Sequence, residues 1–331
     1  MTHHTTAALF LLAVFGLTGC AVSTHSGKTD QPVRENPYLD SCMASATTVY
    51  RACKYEVKKD ILMTMANRLY LSEKNMDTEE CRQEAKSIRF IGMEVCDTQL
   101  EARVDVCESL TPDRQDIPLR PDSFVRPKEI GQTVVPNPYF PLIQGTTWRY
   151  HGEGQTTIIT VTSTTRQIQG ITCSVVHDVV QTEAGIVIED TLDWYAQDIQ
   201  GNVWYLGEQV QNYTNGHLTR LSGSWQAGTD SARAGVIMYS APESDTVYRQ
   251  EYALGSAEDI GRIITVNGTG RTPAASCQNR CLVIQDSSPL EPGTLTNKYY
   301  AKGIGLIMEV NPETGEHVME LIEKTNQTTK K

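Results

Sequence analysis

Four cysteines constrain the first third of this 331-residue chain more tightly than any other feature. Cys42 and Cys53 are eleven residues apart, about three helical turns, and so share a helix face; Cys96 and Cys107 repeat the interval. Facing residues of an antiparallel hairpin have numbers of constant sum. Cys42 with Cys107 gives the same sum as Cys53 with Cys96, and half of it falls between Lys74 and Asn75. That midpoint lies in Ser72–Asp77, where the helical pattern breaks. Around it, from Leu39 to Leu110, there is no proline and no glycine but Gly92. Ala46, Val49, Cys53, Val57, Ile61, Met65 and Leu69 form one apolar stripe. Ala85, Ile88, Gly92, Val95, Gln99 and Val104 form a second, with Asp77 or Thr78 as its helix N-cap. We therefore expect a helical hairpin over residues 38–110, clamped by Cys42–Cys107 and Cys53–Cys96. Two unbridged helices would account for the stripes but not for the coincident sums. Cys81 falls opposite Arg68, which leaves it free or tied to Cys173.

Residues 111–136 hold five prolines and form a linker, or a strap lying across a domain. From Asn137 the periodicity changes to two. About a dozen short β-branched and aromatic runs follow at 8–12-residue spacing, separated by Gly, Asn and Asp turns. The clearest is Asp190–Glu208, where Trp194-Tyr195 and Trp204-Tyr205 flank an Asp198–Asn202 hairpin turn. No helix-length pattern interrupts these runs, so a parallel α/β sheet is excluded in favour of a meander that must curl or close. The expected fold class is α+β multidomain: an N-terminal disulfide-clamped helical hairpin followed by a mainly antiparallel β domain (meander, barrel or half-barrel) over 137–326. Gly268-Thr269-Gly270-Arg271 is expected as a loop, and 327–331 as a polar tail. Cys277 and Cys281 could form a disulfide, a dithiol or part of a metal site; the disulfide, Cys277–Cys281, is preferred because no second ligand pair follows.

The N-terminus carries an address. Ala7–Leu17 is apolar but too short to span a bilayer, and it runs into Leu17-Thr18-Gly19-Cys20. This resembles the signal peptide and lipobox of bacterial lipoproteins. The resemblance implies removal of residues 1–19, a diacylglycerol thioether on Cys20, acylation of the new N-terminus, and a tether over 20–37. Ala21 after the cysteine implies outer-membrane sorting. Eight further cysteines suit an oxidising compartment such as the periplasm. The chain has net charge −11, and segment 137–326 alone carries eleven basic against twenty-one acidic residues. That balance excludes nucleic acid as a partner and electrostatic adhesion to anionic lipid, so membrane attachment falls to the anchor.

Three motif groups resemble a family of secreted or lipid-anchored β-rich bacterial proteins of uncharacterised function. They are Asn137-Pro-Tyr-Phe-Pro-Leu142 with Gly145–Tyr150; Asp193–Asp198 with Gly201–Glu208; and Lys298–Leu306. The resemblance implies a β-rich fold and carries no activity or site. No P-loop, nucleophile elbow or His-Glu-x-x-His motif is present, and no cofactor motif. A Cys173/His177 dyad would be roughly 13 Å apart along a strand, too far to act. His177, alternating with apolar neighbours, is expected as a satisfied core histidine. Asp193, Asp198 and Glu208 could gather around the 198–202 turn and hold Ca²⁺. The preferred reading is that Asp198 and Asn202 cap the turn and the other acids are solvated. Trp194, Tyr195, Trp204 and Tyr205 could stack on a glycan or line a lipid groove, although as cross-strand core pairs they need no ligand.

The sequence thus points to a non-enzymatic cell-envelope lipoprotein binding an apolar, glycan or protein ligand through its β domain. The alternative is an assembly lipoprotein that docks a partner through the hairpin. A deep concavity lined by Trp194 or Trp204 would favour the first; a filled barrel with an apolar patch on the hairpin would favour the second.

Overall fold

The computed structural model describes residues 37–71, 78–110 and 119–326. The expected signal peptide, the lipidation site Cys20, the tether up to residue 36, the turn at 72–77, residues 111–118 and the polar tail lie outside the described residues. The chain divides between Glu108 and Ser109 into two compact units.

The first unit is the hairpin of α1 (Pro37–Leu71) and α2 (Thr78–Ser109). Cys42–Cys107 and Cys53–Cys96 are both disulfides, with Cα–Cα separations of 5.7 and 5.8 Å. The constant-sum register extends along the seam. Ile61 and Ile88 are both buried, and Gly92 faces Val57. A Cβ on Gly92 would lie 2.7 Å from Val57 Cγ2, so only glycine lets the helices approach this closely here. The buried row of α2 runs through Cys96 and Arg103, leaving Val95 and Val104 half-buried, while Met65 of the first stripe is exposed. Tyr50 Oη donates to Asp97 across the seam (2.7 Å), and Arg68 pairs with Glu84. The apolar core is small: Val57, Ile61, Ile88 and Cys96, with Tyr50 and Cys53 packed against it. At about 1.5–3 kcal/mol per buried aliphatic side chain, it is of the same order as the entropy removed by two disulfides. The covalent rungs are therefore a main support of the hairpin. No described helix is long and apolar enough to cross a membrane.

The second unit is one antiparallel sheet, nearly closed into a barrel. Its first half is a run of hairpins: β1 (Thr146–Gly152), β2 (Gln155–Ile168), β3 (Ile171–Thr182), β4 (Val187–Gln197) and β5 (Val203–Thr214). Two short pieces, β6 (His217–Arg220) and β7 (Trp225–Gln226), pair with β5; the turn at Leu221–Ser224 divides them. Next come β8 (Arg233–Met238), β9 (Val247–Arg249) and β10 (Glu251–Tyr252). The second half is another hairpin run: β11 (Ile260–Arg271), β12 (Ser276–Ser287), β13 (Leu295–Ala301), β14 (Gly305–Val310) and β15 (His317–Asn326). β15 returns to pair with β1, joining the halves.

The seam of the barrel is a single residue wide. β10 pairs with β8 at one end of the sheet and β9 with β11 at the other, and only Gln250 separates them in sequence. The β-branched and aromatic run at 246–253 is thus split between the two edges. Gln250 is buried and donates from Nε2 to Asp286 (3.1 Å), so the chain passes from edge to edge without an unpaired side-chain amide.

The β unit corrects one sequence reading and bears out another. Gly268 and Gly270 belong to β11 rather than to a loop. A Cβ at these positions would lie 2.5 Å from Val283 Cγ2 and 2.9 Å from Met308 Cε respectively, so they are the smooth side of a crowded strand and not a turn. Cys277 and Cys281 are disulfide-bonded inside β12 at a Cα–Cα distance of 5.3 Å, far below the roughly 13 Å of an extended strand. Residues 278–280 therefore bulge out, with Asn279 at φ +51° and exchanging hydrogen bonds with Thr269.

Residues 119–136 lie on the sheet as a strap. Val125 N donates to Gln197 O (3.0 Å), Ile199 N to Ser123 O (2.9 Å), and Phe124 bridges to Asp198. Asn137, 1 % exposed, fixes the end of the strap. Its N–H and Nδ2 donate to Gln197 Oε1 and Gly201 O, and its Oδ1 accepts from Tyr139 and Phe140 N–H.

Candidate functional site

Alternate residues of the long strands point into the barrel, and they leave a cavity of about 320 Å³. Its wall takes Trp148 and Tyr150 from β1, Thr157, Ile159 and Val161 from β2, and Val176 and Asp178 from β3. Asp193 and Tyr195 come from β4, Lys298 and Tyr300 from β13, Leu306 and Glu309 from β14, and Met319 from β15. The segment between the strap and β1 contributes Phe140, Pro141 and Leu142. Phe140 packs edge-on against Tyr195 at 5.0 Å, and Gly303 N–H donates to Pro138 O at 2.7 Å. Trp148 Nε1 donates to Ile304 O (2.7 Å) and Tyr150 Oη to Leu306 O (3.0 Å). The three motif groups read from the sequence thus converge on one cavity.

The wall is apolar with a charged inset. Lys298 Nζ lies 2.6 Å from Asp286 Oδ2 and 3.8 Å from Glu309 Oε1. Burial works against its charge, but these two carboxylates outweigh it and hold the ammonium well above the ordinary lysine range. Asp193 accepts from Tyr205 Oη at 2.5 Å. Burial pushes its carboxyl up to about 7, against that hydrogen bond. Glu208, its cross-strand neighbour, is pushed up to about 8 by burial and then by Asp193's charge. Asp178 is half-buried. Burial first, then the charges of Asp193, Glu189 and Glu309, raise its carboxyl well above the ordinary range, with Lys298 opposing. Its Oδ1 has no accessible surface and no hydrogen-bond partner.

The sequence candidates are dispersed. Tyr195 lines the cavity and stacks on Tyr205 at 4.5 Å. Trp194 points elsewhere, into an open groove under the Arg166 guanidinium (3.9 Å). Trp204 is a core residue whose Nε1 donates to Asp198 Oδ2 (2.9 Å). Asp198 also accepts from Gln200 N, Asn202 N and Asn202 Nδ2, so it caps the turn with its lone pairs occupied. Asp193 and Glu208 do not join it there. They face each other along the β4–β5 ladder, roughly 16 Å back from the turn, and are enclosed rather than solvated. Among the described residues no three His, Cys, Asp or Glu side chains are grouped as metal ligands. His177 is not a core residue: its side chain is 39 % exposed and pairs with Asp190 (2.9 Å). Cys173 is a buried free thiol, pushed up to about 12 by burial, and is therefore no nucleophile. Sequence reasoning missed Asp178, Lys298 and Glu309. The available signal was charge at inward positions of period-two strands, next to Val176 and Tyr300.

The fold and site define a class: a two-unit protein pairing a disulfide-clamped helical hairpin with a nearly closed antiparallel barrel that holds a partly charged interior cavity. No family model and no curated protein matches the chain. A solved structure described as a "putative lipoprotein from Parabacteroides distasonis" aligns over 58 % of this chain and 100 % of its own, at 11 % identity and a TM-score of 0.32, a likeness too slight to carry an argument.

Proposed function

We propose that this protein is a non-enzymatic envelope lipoprotein, anchored through Cys20, whose β unit binds a small, largely apolar ligand inside the barrel. The cavity carries this reading: about 320 Å³ enclosed by aromatic and aliphatic side chains is within the size range of small-molecule sites. The lipobox supplies the address, and the Ala21 that follows supports outer-membrane sorting. The test uses N-phenyl-1-naphthylamine, a neutral fluorophore that brightens in apolar surroundings. The full chain should bind it saturably at one per chain, and Val176→Phe, which fills the cavity, should abolish the signal. Equal brightening of both proteins would refute the proposal.

A second reading has its own observation. Tyr55, Leu62 and Tyr70 on α1 and Phe90 on α2 are 55–89 % exposed and turn away from the seam. This supports docking of an envelope protein by the hairpin. On that reading, Tyr70→Asp with Phe90→Asp would release a co-purifying stoichiometric protein while leaving fluorophore binding intact.

A further inference from the structure

We infer that the outer face of α1 lies on an anionic bilayer surface, with Arg51, Lys58 and Lys59 at the lipid headgroups and Tyr55 and Leu62 entering between them. The inference rests on the lipoprotein reading for its anchor, and it gives the hairpin a lipid rather than a protein neighbour.

The two helices divide their charge unevenly. α1 has five basic and three acidic residues, whereas α2 has four basic and eight acidic. The net charge of −11 averages this division away, which is why the whole-chain balance argued against adhesion to anionic lipid. Within α1 the sorting is sharper. Arg51, Tyr55, Lys58, Lys59, Leu62 and Met65 fall within a sector of roughly 120° turned from the Val57 and Ile61 seam, and all six are exposed. Glu56 and Asp60 lie beside this strip and pair with Lys59. Arg51 and Lys58 have no ion-pair partner among the described residues, so their charge is available to a partner surface. Long cationic side chains around tyrosine and aliphatic ones suit a helix in a bilayer interface, where rings and stems enter the headgroup layer and the charged tips meet phosphate. The chain length before α1 favours lipid as that surface. Pro37 is seventeen residues after Cys20, so α1 begins at most about 60 Å from the anchored residue. A tether of that reach keeps the strip at high local concentration over the bilayer, and contacts too weak to recruit a free protein then suffice.

The test uses the lipidated chain, extracted from its membranes and added to preformed vesicles. One set is phosphatidylglycerol with phosphatidylethanolamine, the other phosphatidylcholine alone. Brief acetylation with acetic anhydride, read by mass spectrometry, compares Lys58 with Lys86, which is exposed on α2. Each cation near an anionic surface favours contact about fivefold, so Arg51 and Lys58 together should lower the Lys58-to-Lys86 ratio roughly tenfold or more on the anionic vesicles relative to phosphatidylcholine. Salt at about 0.5 M should restore it. Tyr55→Asp with Leu62→Asp, exposed changes that leave both disulfides in place, should restore it too. An equal ratio on both vesicle types overturns the inference. Slow acetylation of Lys58 on phosphatidylcholine as well, with no response to salt, assigns α1 to a protein or a second copy and also overturns it. A chain that carries no acyl group and does not float with either vesicle removes the lipoprotein reading, and the inference with it.

Discussion

Removing the outer rung of the hairpin, Cys42→Ser with Cys107→Ser, should destabilise the first unit alone, by an amount set by loop closure. The bridged residues are 65 apart in sequence, yet Cys53–Cys96 already closes the inner 43. The outer bridge therefore closes a ring with eleven residues on each arm. The chain-entropy relation gives about 3 kcal/mol for a ring of that size and about 4 kcal/mol for the inner loop alone. A unit of this size shifts its midpoint by roughly 4–8 °C per kcal/mol, so the outer-rung variant should melt roughly 15–25 °C lower. Two probes separate the units. All four tryptophans, Trp148, Trp194, Trp204 and Trp225, lie in the barrel unit, so intrinsic fluorescence follows it. The helical circular dichroism band follows the hairpin, since the described residues of the second unit include no α-helix. Removing all four cysteines should cost about 7 kcal/mol and leave little helical signal at room temperature. A helical transition unmoved by loss of the outer rung, or a fluorescence transition that moves with it, would refute the reasoning.

Further outcomes follow from the barrel and the address. Asp193 and Glu208 are held near 7 and 8, above the unfolded range near 4, so the folded barrel keeps protons that the unfolded chain has released. Stability should fall as pH rises from about 4 to about 8 and level off above, with Asp193 contributing at most ~4 kcal/mol. Fluorescence-detected urea midpoints should be lower at about pH 8.5 than at about pH 5, and Asp193→Asn should flatten the slope. Asp198→Ala removes four hydrogen bonds and orphans the buried Trp204 Nε1, so it should cost about 3 kcal/mol or more in the same assay. Gly270→Val drives a side chain into Met308 and Ile307 and should cost about 1–3 kcal/mol in the same assay. On the lipoprotein reading, Cys20→Ser should move the protein from the membrane to the soluble fraction on cell fractionation.

The hairpin was legible because helical spacing and cysteine spacing obey one arithmetic, and both rungs are where that arithmetic puts them. The strands were legible as period-two runs between turn residues, and the hairpin around Asp198–Asn202 lies where that pattern puts it. Where the reading failed, a non-local contact had decided the outcome. Gly268 and Gly270 look like a loop until Val283 and Met308 crowd them from neighbouring strands. The 246–253 run looks like one strand until the barrel seam claims its two halves for opposite edges. The cavity was invisible for the same reason. Asp178, Lys298 and Glu309 lie far apart in sequence and are each unremarkable locally, and only the pairing of β15 with β1 brings their strands around one space. The aromatic pairs drew attention to the right hairpin but not to the right rings, since alternation along β4 puts Tyr195 with Asp193 on the cavity side and Trp194 in the groove on the other.

Native mass spectrometry of the chain purified from its own membranes, beside Val176→Phe prepared identically, tests the central claim most directly. The account predicts a small organic adduct on the natural protein and none on the filled variant. The same adduct on both, or a natural protein that carries nothing and does not take up the fluorophore, would contradict it.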